Sequence, residues 1–162
     1  MSARTGERIM RRKDREVTEF TEIADILSRA DIIRLGLHDE PYPYVVPVSF
    51  GYEAAGNKIT LYFHGAKEGL KHELMAANNN VCVEADIFHK NAEVYDGITT
   101  EYESVIGFGK AWQVTGEEAV KGIGLLLEHS GFGGYKYDAA ALNDTWVYKV
   151  ELDSFTGKRR FV

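Results

Sequence analysis

Cysteine is almost missing from this chain. Its 162 residues include one, Cys82, so no intrachain disulfide can form and a disulfide-stapled scaffold is excluded. That cysteine lies in Val81-Cys82-Val83-Glu84-Ala85, a strand-like run where a small buried hydrophobe is expected. No apolar stretch approaches the roughly 20 residues of a membrane-spanning helix. The polar N-terminus lacks the apolar segment of a secretion signal, and a soluble, cytoplasmic protein is expected. Positive charge is in deficit, with a net charge of −6, which argues against a general nucleic-acid binder because phosphate neutralisation needs a basic face. No Cys/His spacing of a metal site occurs, and no metal is expected.

What is present is an ordinary globular composition. The hydrophobic share is 44%, and the length fits one domain with a sizeable core. The few cations are bunched. Arg11, Arg12, Lys13 and Arg15 form one cluster, and Lys158, Arg159 and Arg160 another. Short clusters of this kind usually mark solvated ends, and either can meet an anionic ligand or an acidic partner. Residues 1–15 read as a flexible basic segment and residues 16–162 as a single domain.

Hydrophobic periodicity outlines six strands and two or three short helices. Thr18 or Thr21 is placed to cap a helix with Ile23, Ile26, Leu27 and Ala30 on one face. Strands are expected at Ile32–Leu37, Tyr42–Tyr52, Ile59–His64, Val81–Phe88, Glu103–Val114 and Thr145–Leu152. Proline is scarce, so Pro47 inside the second strand is informative: it cannot donate to a ladder, which requires an edge or an interruption there. Residues Ala54–Lys58 read as a hairpin turn, and His89–Thr100 as a polar loop. Helices are expected over Gly69–Ala77 and over Glu117–His129, the latter with Val120, Ile123 and Leu127 on its stripe. The pattern is mainly β with peripheral helices, in keeping with a small decorated barrel.

The richest local signal is Leu61-Tyr62-Phe63-His64-Gly65-Ala66-Lys67-Glu68-Gly69-Leu70-Lys71, a strand that turns through glycine and lysine into a helix. Such a junction sets orphan backbone N–H groups at a helix N-terminus, where a phosphate is favoured, and Lys67 and Lys71 lie one turn apart beside it. It is neither a P-loop nor a dinucleotide fingerprint. Glycine- and lysine-bearing junctions often bind nothing, so a phosphate-bearing cofactor stands against a purely structural turn.

Taken together, four segments resemble the pyridoxamine 5′-phosphate oxidase-like flavoproteins, and within them the nitroimidazole-resistance (Nim) group. They are Met10-Arg11-Arg12-Lys13-Asp14-Arg15-Glu16, Tyr42-Pro43-Tyr44-Val45-Val46-Pro47-Val48, Tyr62-Phe63-His64-Gly65-Ala66-Lys67-Glu68-Gly69 and Tyr102-Glu103-Ser104-Val105-Ile106-Gly107-Phe108-Gly109. The closing Thr156-Gly157-Lys158 also fits. The resemblance implies a six-stranded split β-barrel that forms a homodimer with FMN at the subunit interface. It implies flavin contacts from the Val46, Pro47 and Val48 strand, and from His64, Gly65, Ala66 and Lys67. Lys67 is then the leading phosphate partner, Lys71 the second and Ser104 a further contact. The wider family carries two basic residues in tandem before the glycine of this turn, and here the second is the acidic Glu68. Motifs specific to pyridoxamine phosphate are not evident.

Two kinds of function follow from the resemblance. One is an FMN-dependent oxidoreductase, with NAD(P)H as a plausible donor and a small, nitroaromatic-like acceptor. His64 would then be catalytic, because an imidazole can pass a proton beside a reducible substrate. The other is a non-catalytic flavin-binding or electron-transfer module, or a split barrel that holds haem or deazaflavin. His72 is expected to be solvated, Trp112 and Trp146 to be core or interface, and the Phe132–Tyr137 loop to be either a pocket cover or a plain loop.

Overall fold

The computed structural model describes residues 9–137 and 139–162. Within them, eight strands form one antiparallel sheet that rolls into a split barrel. They are β1 (Glu16–Val17), β2 (Ile33–Leu37), β3 (Tyr44–Val48), β4 (Gly51–Ala55), β5 (Lys58–Ala66), β6 (Asn80–Val94), β7 (Gly97–Val114) and β8 (Thr145–Arg160). The order across the sheet is β3-β2-β6-β7-β8-β5-β4, and β1 pairs with β8. Three helices decorate it: α1 (Phe20–Arg29), α2 (Leu70–Ala77) and α3 (Gly116–His129).

The expected Tyr42–Tyr52 strand is in fact two. β3 pairs with β2 and β4 with β5, so consecutive strands lie at opposite ends of the sheet. A single straight strand cannot join both, and the chain crosses over at Ser49-Phe50, with Phe50 wholly buried. Pro47 sits in the edge strand β3, as its missing N–H requires. The β4–β5 hairpin closes through Gly56 (φ 58°) and Asn57 (φ 60°), the two positive-φ residues that a tight hairpin turn of this hand needs.

The polar segment His89–Thr100 is a ribbon, not a loop. β6 runs on to Val94 and β7 begins at Gly97, with Lys90 opposite Glu101 and Asn91 opposite Thr100. Thr100 Oγ1 donates to Asn91 Oδ1 at 2.9 Å. Because most of this ribbon is open to solvent, its sequence shows no apolar alternation. β8 likewise continues to Arg160, where it pairs with Tyr102.

Alternate residues of the strands fill the barrel: Leu35, Leu37, Ile59, Leu61, Phe63, Val81, Val83, Val105 and Val150 are all buried. α1 buries Ile23, Ile26 and Leu27, the expected face, and its N-cap is Glu19 without a side-chain cap, in place of Thr18 or Thr21. α3 turns a different stripe inward than its apolar pattern predicts. Ala119, Gly122 and Leu126 are buried while Val120 is half exposed. The small Gly122 lets the helix lie on the Tyr62 ring, where a Cβ would come within 2.7 Å. Among the described residues no helix is long and apolar enough to cross a membrane.

Candidate functional site

The β5–α2 junction is built as its sequence implies. Leu61 and Phe63 anchor the end of β5 in the core, the strand ends at Ala66, and α2 opens at Leu70 after Gly69. The Gly69 carbonyl accepts from the N–H groups of His72 (3.0 Å) and Glu73 (3.2 Å). Those of Lys67, Glu68, Gly69, Leu70 and Lys71 find no acceptor among the described residues. Five successive amides and the positive end of α2 therefore meet at one exposed turn, the ingredients of an anion cradle.

Lys71 reaches back over this turn. Its Nζ lies 5.5 Å from the centroid of the buried Phe63 ring and 2.9 Å from where a Cβ on Gly65 would stand. Only glycine leaves that place to the ammonium. Partial burial pushes the Lys71 ammonium below its ordinary pKa. His64 is lowered as well, first by desolvation and then by the charge of Lys71. The imidazole of His64 has no hydrogen-bond partner among the described residues, and Lys67 and Glu68 are exposed on the turn.

His64, Gly65, Ala66, Lys67 and Lys71 are thus gathered at one corner. Val46, Pro47 and Val48 lie on the edge strand β3, which leads through Ser49-Phe50 into Gly51, the residue opposite Tyr62 of β5. Val46 and Val48 pack their side chains on the core and Pro47 points outward, so β3 offers a ligand its backbone groups. Ser104 is further away within one chain. It faces Lys158 across the ladder whereas His64 faces Val147, and the intervening length of β8 spans roughly 35 Å. One subunit therefore does not bring Ser104 to the β5–α2 turn.

The structure also shows residues that the sequence did not reveal. His72, expected in solvent, is half buried: its Nδ1 lies 2.7 Å from the Tyr148 hydroxyl and its ring meets Trp146 edge-on at 3.9 Å. Tyr148 in turn stacks on Phe63 at 5.1 Å. His72, Met75, Asn78, Asn79, Trp112 and Tyr148 help line a cavity of about 500 Å³ beneath α2. The cross-strand pairs Phe63–Tyr148 and Gly65–Trp146 build this aromatic wall, and such pairs need the register, which a sequence does not print. His89, expected in a loop, is on β6 with Nε2 2.9 Å from the buried carboxylate of Glu103. His129 Nε2 lies 2.8 Å from the Ala30 carbonyl. Among the described residues no group of three His, Cys, Asp or Glu side chains is placed to hold a metal.

Comparison with known proteins follows the same line. A search of curated protein sequences returns no significant match. Among solved structures, a candidate 5-nitroimidazole antibiotic resistance protein from Bacteroides thetaiotaomicron is 32% identical, with a TM-score of 0.79 over 88% of this chain and 85% of that one. The flavocytochrome Anf3 from Azotobacter vinelandii (16% identity, TM-score 0.78, 95% of this chain and 73% of that one) shares the fold. So does an FAD-binding protein from Mesorhizobium loti (20%, TM-score 0.66, 91% and 98%). The sequence model of the family described as pyridoxamine 5′-phosphate oxidase matches residues 19–159, nearly the whole barrel, and this chain belongs to that family.

Proposed function

We propose that this protein is a cytoplasmic, homodimeric FMN-dependent oxidoreductase that reduces a small, nitroaromatic-like acceptor. The observation that carries the reading is the β5–α2 turn, where Lys71 occupies the space left by Gly65 beside five successive amides that have no acceptor among the described residues. That donor set suits one phosphate monoester, which favours FMN over a cofactor with a longer phosphate chain. The edge strand β3, with Val46 to Val48, is free to offer backbone donors and acceptors to a planar ring. The 32% identical relative, a candidate 5-nitroimidazole resistance protein, supports a nitroaromatic acceptor.

Bound FMN supplies two-electron redox chemistry. The chain supplies the rest. Lys67, Lys71 and the turn amides hold and orient the phosphate, with charge-assisted bonds that are the strong ones. His64 stands beside them, neutral at physiological pH because its protonated form is disfavoured, and free to take or give a proton at its unpaired ring nitrogens. NAD(P)H is the proposed electron donor. Ser104 joins the flavin only from a second subunit, which ties its role to the dimer.

The test is an absorbance spectrum of the purified protein, followed by release and identification of the chromophore. FMN released on denaturation is the expected result; a colourless protein that also fails to bind added FMN overturns the proposal. Reduction by NAD(P)H with reoxidation by a nitroaromatic supports the enzyme, whereas flavin that cycles only with strong chemical reductants marks a non-catalytic module.

A further inference from the structure

The two basic clusters at the ends of the sequence meet in space. β1 pairs with the last turn of β8, with Glu16 opposite Lys158 and Val17 opposite Gly157. The short 3-10 turn Lys13–Arg15 that precedes β1 is thereby set beside Arg159 and Arg160. β7 adds Tyr102 opposite Arg160 and Ser104 opposite Lys158. Side chains opposite one another in an antiparallel ladder share a face, so Tyr102, Ser104, Lys158 and Arg160 form one patch.

Most nearby acids are committed elsewhere. Asp14 accepts two bonds from Arg12 at 2.6 and 2.8 Å, Glu22 takes Arg159 at 2.8 Å, and Asp86 is held by Arg34. Glu16 makes no ion pair among the described residues, although it faces Lys158. The cations that remain have little to hold. Lys158 Nζ lies over the Tyr102 ring at 5.8 Å and makes no ion pair among the described residues. Arg160 has no hydrogen bond or ion pair among the described residues, and its Nε is shut off from solvent without an acceptor. The Arg15 Nε is also buried without a hydrogen bond, but Asp14 pairs with it at 3.9 Å.

A half-buried guanidinium with no carboxylate or carbonyl is costly, because a buried donor without a partner forfeits its hydration. Beside a free lysine and a serine hydroxyl, the Arg160 guanidinium supplies a donor set of the kind that recognises a tetrahedral oxyanion. We propose that Lys158 and Arg160, with Ser104, form a second anion site that takes a phosphate monoester. It lies at the far end of β8 from the β5–α2 turn. The phosphate comes either from a separate phosphorylated small molecule or from a flavin held by a second subunit.

The experiment is calorimetric titration of the full-length protein with inorganic phosphate, repeated on the Lys158→Gln/Arg160→Gln variant. The ratio of FMN to riboflavin dissociation constants is measured on both proteins. The charge-keeping variant Lys158→Arg/Arg160→Lys guards against misfolding and is expected to match the wild type. A separate phosphorylated ligand predicts that phosphate binding weakens at least tenfold in the glutamine variant while the FMN preference over riboflavin stays. A flavin phosphate presented by a second subunit predicts that this preference collapses. The proposal is overturned if neither quantity changes in the glutamine variant. Only the second arm rests on the flavin reading, so a colourless protein whose phosphate binding still depends on Lys158 and Arg160 sinks that reading alone.

Discussion

The ammonium of Lys71 stands where the side chain of any residue but glycine at position 65 would begin. A Cβ there would lie 2.9 Å from Nζ and 3.2 Å from Cε, the far end of a flexible side chain that can swing away. Gly65→Ala is therefore expected to leave the fold within about 1 kcal/mol of wild type while it displaces the charge from the turn. FMN affinity should fall about tenfold, the cost of roughly one displaced charge-assisted bond. Thermal melts beside an FMN titration check this; loss of stability with intact affinity would refute the role given to Lys71.

Lys67 offers the complementary case. It is exposed and engages no acid among the described residues, so its removal takes nothing from the core. Lys67→Ala should weaken FMN binding by about 1.5–3 kcal/mol, roughly ten- to a hundredfold, with an unchanged melting temperature in the absence of flavin. Riboflavin, which lacks the phosphate, should bind wild type and variant equally. An unchanged FMN dissociation constant would remove Lys67 from the site.

His64 and Lys71 are coupled, and the sign of the coupling can be measured. Desolvation and the Lys71 charge both disfavour protonated His64, so its folded pKa lies below the ordinary value near 6.5. Between that value and the lower folded one, the unfolded chain binds more protons than the native state. His64 therefore contributes stability that is present above about pH 6.5 and is lost as pH falls toward the folded pKa. His64→Gln should flatten the melting temperature across that window. Lys71→Met should raise the imidazole pKa in an NMR titration, yet leave it below the ordinary value, because desolvation remains. A pKa that does not move would break the link between the two side chains.

The local signals of this fold were legible where one face of an element is buried. Ile59, Leu61 and Phe63 alternate because β5 has an inside and an outside, and α1 shows its stripe for the same reason. The 89–100 ribbon hid because it lies largely in water, and the β3–β4 break hid because it is a matter of which neighbour each half pairs with. The corner with Gly65, Lys67 and Lys71 was readable since its chemistry is local in sequence. The His72–Tyr148 contact and the pairing of the two basic ends were not, since both are made by β8 at long range.

Gly51 shows how tightly that long-range packing is set. A Cβ at this position would overlap the backbone N of Leu126 and come within 2.5 Å of the Leu125 carbonyl carbon, both in α3. Backbone in a helix cannot yield as a lysine tip can. Gly51→Ala should cost about 3 kcal/mol or more, as overpacking against a rigid neighbour does. Chemical denaturation measures it directly. A loss below about 1 kcal/mol would mean that α3 shifts freely on the sheet.

Glu103 carries the clearest acid dependence. It is 4% exposed on β7 and accepts from Arg29 at 2.7 and 3.0 Å, with His89 Nε2 at 2.9 Å. Arg29 above all, then His89, holds the carboxyl below its ordinary range despite burial. A carboxylate with a depressed folded pKa contributes stability that is present above its unfolded value near 4.3 and is lost as pH falls through the folded one. Glu103→Gln keeps the shape and removes the charge. Arg29 is itself well exposed and retains Asp25 at 2.8 Å, so the loss at pH 7 should be about 1–3 kcal/mol, short of the cost of a fully buried orphan. The same variant should also lose less stability than wild type between pH 5 and pH 3, roughly the span in which a paired carboxylate is titrated. Equal acid sensitivity in the two proteins would show that the Arg29–Glu103–His89 cluster does not carry the titration.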